Sequence, residues 1–417
     1  MSLGVRALPG SGDLGSDFDY TVNSGIRTFT LKNNFSTNGY SLRDITHESN
    51  SDQVIIDGNN KTVTITDISF NGLFFVGNYR NGNNKPTIIK NFNIKSSVDI
   101  QVGLAKVTGY VKFINCHLEL NGNINSQGGG LANNSEGDND NTKIEFTNCS
   151  VKVFGKIGAN AGPLIGYIYY NSGNIYNITN CYTVVSDNDS LTGNKTLGQS
   201  AGAFVGSGIS NDVTITNSYC LFNGSMYWGS GIIAGKFLGS NGTLTINKFY
   251  AVTNITSIEP GAGVPQVPYL LSSYHGSTPP SSFILSNVNI LNLNPLNTLN
   301  NIYDDGTIKT NLASFNIHTT YSAFATIANT SNNRVGNNTF RIIIDTYDAT
   351  FYTFSTSSPD FRLNLTNGTL EIYIERKKVI SRLGLLSLES KLYNNYNAYQ
   401  YNGKIAWIVY RNWWRRW

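Results

Sequence analysis

The chain has 417 residues and a net charge of +4; 40% of its residues are hydrophobic and only 13% are charged. That charge is too mild for a nucleic-acid footprint over the whole chain, and 24 Tyr with 21 Phe exclude a disordered polar chain, which would be poor in aromatics. Four cysteines without CxxC or Cys/His spacing predict neither a zinc site nor a disulfide framework, and no metal or cofactor is expected.

The first ten residues lack a basic region followed by an apolar core, so no signal peptide is expected. No apolar run approaches the roughly 20 residues of a membrane-spanning helix. Residues 1–53 read as a Gly/Ser/Asp-rich lead and a cap carrying one strand, Arg27-Thr28-Phe29-Thr30-Leu31.

Residues 54–256 repeat one pattern. Gly-bounded apolar pentads recur at Gly72-Leu73-Phe74-Phe75-Val76-Gly77, Gly162-Pro163-Leu164-Ile165-Gly166, Gly202-Ala203-Phe204-Val205-Gly206 and Gly231-Ile232-Ile233-Ala234-Gly235. Between them lie short alternating strands that close on Asn at 91, 115, 148, 180, 217 and 247, at intervals of 24 to 37 residues. Periods of this size mark solenoids, propellers or arrays. The elements are too short for helices, and they are rich in Ile, Val, Phe and Thr between Gly, Asn and Ser. A varying interval around a fixed motif favours a stacked solenoid, which tolerates loops of any length on its outside, over a propeller with matched blades.

Asn115, Asn148, Asn180 and Asn217 are the expected corner ladder, because Asn tolerates the left-handed conformation that corners need. Cys116, Cys149 and Cys181 each follow such an Asn and are expected to form one interior column, where free Cys acts as a small apolar residue. Cys220 sits three residues after Asn217 and breaks that pattern.

The pentads resemble the short GLUG-type repeat of bacterial and viral surface proteins. The stretch Val54-Ile55-Ile56-Asp57-Gly58-Asn59-Asn60-Lys61-Thr62-Val63-Thr64-Ile65 resembles the first coil of pectin-lyase-like β-helices. The resemblance covers about half the chain and implies a right-handed parallel β-helix. The fold class expected is therefore all-β: a right-handed parallel β-helix followed by a smaller antiparallel β-sandwich-like C-terminal domain.

Three prolines in the segment Glu259-Pro260-Gly261-Ala262-Gly263-Val264-Pro265-Gln266-Val267-Pro268 are expected to end the stack. Residues 257–300 then read as a linker with last strands. Residues 301–417 carry longer alternating strands, with Tyr347-Asp348, Asn367-Gly368 and Asn402-Gly403 as hairpin turns. The chain closes on a Trp/Arg tail in which Trp407, Trp413, Trp414, Arg415, Arg416 and Trp417 are candidate docking residues, since Trp and Arg dominate interface hot spots.

Catalytic chemistry finds little support in these residue patterns. Pectin-lyase-like enzymes would imply clustered acids with a basic residue on one outer face, but paired carboxylates do not return at one repeat position. The acids of Glu136-Gly137-Asp138-Asn139-Asp140 and Asp187-Asn188-Asp189 fall in loops and lack calcium-loop spacing. His47, His117, His275 and His318 follow no motif, His117 is expected to point outward, and Gly128-Gly129-Gly130 reads as a turn. A Thr array such as Thr64/Thr66, Thr214/Thr216 and Thr243/Thr245 would suggest ice binding, but Lys112, Lys143, Glu145 and Asn177 are expected to interrupt it.

The expectation is a non-enzymatic structural or attachment protein. By analogy it is associated with the capsid of a large DNA virus, with capsid or other shell proteins as partners and the virion as its location. Homo-oligomerisation and membrane contact by the C-terminal tail stay open; no nucleic-acid partner is expected. The alternative is a polysaccharide-binding or polysaccharide-degrading β-helix protein with Tyr167, Tyr169, Tyr170, Tyr227 and Trp228 as sugar platforms.

Overall fold

The computed structural model describes residues 17–38, 43–46, 53–77, 85–134, 142–167, 175–186, 196–207, 212–236, 243–259, 269–273 and 282–292. Beyond these it describes short strands at 300–304, 307–309, 315–318, 334–335, 338–344, 361–366 and 369–374. The protein is all-β, nearly all strand with almost no helix. Among the described residues, the strands form one seventeen-stranded sheet, one three-stranded sheet and three four-stranded sheets.

Alternation of apolar and polar residues makes each strand, and parallel pairing joins each to its counterpart one repeat later. In a first lane, Ile26–Leu31, Gln53–Asp57, Thr87–Lys90, Tyr110–Ile114, Lys143–Thr147 and Ile175–Thr179 pair in succession. The first halves of Asp212–Tyr227, Thr243–Glu259 and Ser282–Asn292 continue the lane. In a second lane, Thr62–Ile65, Asn93–Ser96, His117–Leu120, Ser150–Val153 and Tyr182–Ser186 run into the second halves of the same three long strands. Two further lanes run through Phe70–Asn71, Ile100–Val102 and Ile124–Gly129, and through Arg43–Thr46, Phe74–Gly77, Ala105–Val107 and Ala132–Asn134. Isolated bridges extend them through Ile157, Leu197 and Met226, and through Ile165, Val205 and Ala234.

One face of every lane is buried. Val54, Ile56, Ile89, Val111, Phe113, Ile144, Phe146, Ile178 and Ile215 form the buried parity of the first lane. Adjacent repeats lie one strand spacing apart, about 4.8 Å, so like side chains stack: the rings of Phe113 and Phe146 lie 4.9 Å apart and nearly parallel. The pentads carry the chain from the third lane into the fourth: Gly162, Gly202 and Gly231 bridge on the third-lane side, Ile165, Val205 and Ala234 on the fourth, and Phe74–Gly77 is a fourth-lane strand. A middle residue such as Leu164, Phe204 or Ile233 enters the core. The leading glycine is needed for close approach: a Cβ on Gly202 would run into the Val205 carbonyl.

Four differences from the sequence reading stand out. The strand Phe18–Asn23, within the stretch read as a Gly/Ser/Asp-rich lead, pairs antiparallel with Ile26–Leu31, which is itself the first member of the parallel stack. Parallel pairing also continues past the proline-bearing segment, from Thr243–Glu259 to Ser282–Asn292 and on to Phe315–His318. Prolines placed between strands leave the ladder donors intact. The C-terminal sheet is mixed. Phe361–Thr366 and Thr369–Ile374 are antiparallel across Asn367-Gly368, but Asn338–Ile344 pairs with Thr369–Ile374 in parallel. Finally, Asn247 lies within the strand, paired with Thr216, and Lys248 takes the left-handed corner position with φ 56°.

Gly202→Ala is expected to destabilise the chain by about 1–3 kcal/mol, the usual cost of forcing atoms into a packed site. A urea denaturation midpoint equal to that of the unsubstituted chain would remove the close-approach argument.

Candidate functional site

Three groups of residues come together on the lanes. The first is the corner between the first two lanes. Asn91, Asn115, Asn148, Asn180 and Asn217 all have φ between 49° and 58°. The Asn91 amide donates to Asp57 Oδ1 at 3.0 Å, that of Asn115 to Asn91 Oδ1 at 3.2 Å, and that of Asn217 to Asn180 Oδ1 at 2.8 Å.

Next along the chain stand Cys116, Cys149, Cys181 and then Ser218, all buried. The Cys149 N–H donates to Cys181 Sγ at 3.4 Å, and the Cys181 N–H to Ser218 Oγ at 3.1 Å. The thiols of Cys149 and Cys181 in turn donate to the carbonyls of Thr147 and Thr179. Here a small side chain that both donates and accepts serves a backbone N–H that has just left the ladder, which explains Cys or Ser at this position. Burial pushes the Cys116 and Cys181 thiols up, and the Cys220 thiol up to about 12, whereas at Cys149 the hydrogen bonds shared with Cys116 and Cys181 outweigh burial and hold the thiol down. All four are enclosed, and enclosure keeps reagents from them.

The second group lies on the solvent-side parity of the first lane. Register sets Tyr110 opposite Lys143 and Lys112 opposite Glu145. The Glu145 carboxylate takes Lys143 Nζ at 2.9 Å, Lys112 Nζ at 3.0 Å and the Tyr110 hydroxyl at 2.9 Å. Lys143 Nζ also sits 4.7 Å from the Tyr110 ring centroid, within cation–π range. Burial pushes the Glu145 carboxyl up, but the two ammonium groups and the phenol outweigh it and hold it below its usual value. A general acid needs the opposite shift. Asp57 is alike: bonds from the Asn59 N–H, Asn91 and Lys90 outweigh its burial, and Lys90 Nζ lies 3.1 Å away. The same register puts Lys112, Glu145, Asn177, Thr214 and Thr245 in one column, so the Thr array is interrupted there.

The third group is aromatic. Tyr227 and Trp228 are half-buried with centroids 5.7 Å apart. Tyr167 is half-buried and donates its N–H to the Gln127 carbonyl at 3.3 Å. Tyr167 follows the pentad of one repeat, whereas Tyr227 and Trp228 precede the pentad two repeats on.

His117 lies at the half-buried parity of the second lane, with Nδ1 2.8 Å from Ser150 Oγ, and burial holds its imidazole below the usual value. Gly128, Gly129 and Gly130 span the end of Ile124–Gly129 and the following turn. Tyr169, Tyr170, His47, His275, the acid-rich loops at 136–140 and 187–189, and the tail residues Trp407, Trp413, Trp414, Arg415, Arg416 and Trp417 lie outside the described residues. So do the turns Tyr347-Asp348, Asn367-Gly368 and Asn402-Gly403. Among the described residues, no helix is long and apolar enough to cross a membrane.

Sequence reasoning missed a second left-handed corner, just before the pentads, at Gln127, Asn160, Ser200 and Gly229. The Gln127 N–H donates to the Ala159 carbonyl at 2.7 Å, and that of Asn160 to Gln199 at 2.9 Å. Its signal was the Gly/Ala setting of Gly158-Ala159-Asn160-Ala161-Gly162 and Gly198-Gln199-Ser200-Ala201-Gly202. No family model, curated protein or solved structure matches the chain.

Two outcomes are expected. Glu145 and Asp57 bind protons less readily when folded, so the stability they confer is present above 4.5 and 3.8 and is lost as pH falls through their depressed folded values. His117 has the same sign, its loss beginning as pH drops through 6.5. In melting temperatures followed against pH, His117→Asn should flatten the upper window and Glu145→Gln the lower; unchanged profiles would contradict the assignment. Separately, none of the four buried thiols should react with a thiol reagent in the folded protein, and all should react in denaturant.

Proposed function

We propose that the lanes wind into a right-handed parallel β-helix and that the chain is a non-enzymatic structural or attachment protein, using this rod as a scaffold or binding surface. Continuous register in four lanes supports the winding, and the strong right-handed bias of parallel crossover connections supports the hand. The observation that carries the functional reading is the use of Glu145 and Asp57 as links between successive repeats: each carboxylate is held ionised by lysine from the same or a neighbouring repeat. Groups so engaged stiffen a rod and are unsuited to proton transfer. Shell proteins of a virus particle are the partner class proposed, with the Trp/Arg tail as anchor.

A polysaccharide-binding role is the second reading, favoured by the Tyr227–Trp228 pair, whose two adjacent rings could stack on sugars.

The test is a pull-down from the native source with the intact chain and with a truncation before Arg411, read by mass spectrometry. Recovery of shell proteins by the intact chain and their loss on truncation is the expected result. If neither form recovers a protein partner, the attachment reading fails, and binding on a glycan array would put the carbohydrate reading in its place.

A further inference from the structure

The second lane changes character along its length. At the parity facing away from the main core, one column reads Asn93, His117, Ser150, Tyr182, Tyr219, Tyr250, Asn289. The neighbouring column reads Lys95, Glu119, Lys152, Val184, Leu221, Val252, Leu291. Up to Lys152 these residues are polar or charged and pair with one another, as Lys152 does with Glu119. From Tyr182 onward they become aromatic and aliphatic. Val184, Tyr219, Leu221, Tyr250, Val252 and Leu291 are between 0 and 4% exposed, yet none belongs to the main core cluster.

They form a second apolar layer on the opposite side of the sheet. Tyr182 and Tyr219 stack at 4.9 Å, and polar atoms beside the layer are tied down, the buried Asn254 amide donating to Asn223 Oδ1 at 2.8 Å. Strands apolar at both parities are strands covered on both faces.

Two observations identify the cover. Cα atoms of Arg334–Val335 come within 8 Å of Cα atoms of Asp212–Tyr227, the strand whose second half is the centre of this patch. Arg334–Val335 is the edge of the mixed C-terminal sheet, whose order continues through Asn338–Ile344 and Thr369–Ile374 to Phe361–Thr366. In that sheet register aligns Phe340 with Leu370 and Leu365, and Ile342 with Ile372 and Leu363, while Arg341 aligns with Glu371 and Asn364. Sequence alternation of this kind marks a sheet that buries one side against another element.

We propose that the outer face of the second lane, from Tyr182 to Leu291, is the docking platform for this chain's own C-terminal sheet, the strands at 334–335, 338–344, 361–366 and 369–374. The lanes and the C-terminal strands then form one unit, and the polar stretch from Asn93 to Lys152 lies beyond the platform on the same side. This inference goes beyond the proposed attachment role and does not depend on it.

The test places a photo-crosslinker in the full-length chain by Leu221→p-benzoylphenylalanine, irradiates a mixture of light and heavy isotope-labelled protein, and maps adducts by mass spectrometry. Adducts within 334–374 of the same chain are expected. Adducts to a second copy, adducts elsewhere in the chain, or none would overturn the proposal. Val184, at the rim of the patch, offers the same readout should the larger residue at Leu221 prevent folding. In a companion experiment, Leu221→Asp should raise tryptic cleavage after Arg341 and Arg362 by about tenfold or more, since cleavage follows the population of the open form. Cleavage unchanged, in a chain whose first-lane strands stay folded by circular dichroism, would also overturn it.

Discussion

Backbone hydrogen bonds between one repeat and the next fix each paired residue beside its counterpart, about 4.8 Å away. Whatever stands at a position must tolerate its own kind, or a chosen complement, above and below. Like charges at that distance would cost roughly 3 kcal/mol at an effective dielectric near 20. The 13% charged fraction follows from this constraint. Where charges meet in register on the first two lanes, they are opposite in sign: Lys90 opposite Asp57, Lys112 opposite Glu145, and Glu119 between Lys95 and Lys152. Neutral groups that donate and accept at once, Asn amides above all, stack with no such limit.

The same constraint decides what could be read from the sequence. A corner filled by one residue type is visible as a repeat, and the asparagines at 91, 115, 148, 180 and 217 mark theirs without help from geometry. The second corner carries Gln127, Asn160, Ser200 and Gly229, four residues alike only in backbone conformation, so letters alone do not align them. Lys248 makes the point from the other side. The nearby Asn247 attracts the assignment by its type, while register puts it in the strand, and Lys accepts a left-handed φ because the strands on either side fix the turn.

Ends of such a stack expose unpaired strand edges, which invite association with other chains. At the N-terminal end the edge of Ile26–Leu31 is taken by the antiparallel strand Phe18–Asn23, with Tyr20 packed 5.0 Å from Phe29. Farther along the chain, Asn300–Asp304 pairs antiparallel with Thr307–Lys309. Reversal of direction is a simple device for ending a parallel ladder. It needs only a short turn, Ser24-Gly25 in the first case, and so leaves almost no trace in composition.

The candidate site was less legible than the fold because residues on the open faces serve their own neighbours first. Glu145, Lys112 and Lys143 look from composition like free surface charges, yet they are joined through one carboxylate. The outer apolar layer, by contrast, was written in the sequence in a form easily passed over. Tyr182-Thr183-Val184-Val185, Tyr219-Cys220-Leu221-Phe222 and Phe249-Tyr250-Ala251-Val252 lack the polar alternation of His117-Leu118-Glu119-Leu120. In a strand with one face already committed to a core, loss of alternation has one physical meaning: the other face is not in water. A change of pattern between otherwise equivalent repeats therefore carries more functional information than the repeat itself, because the fold requires the repeat and does not require the change.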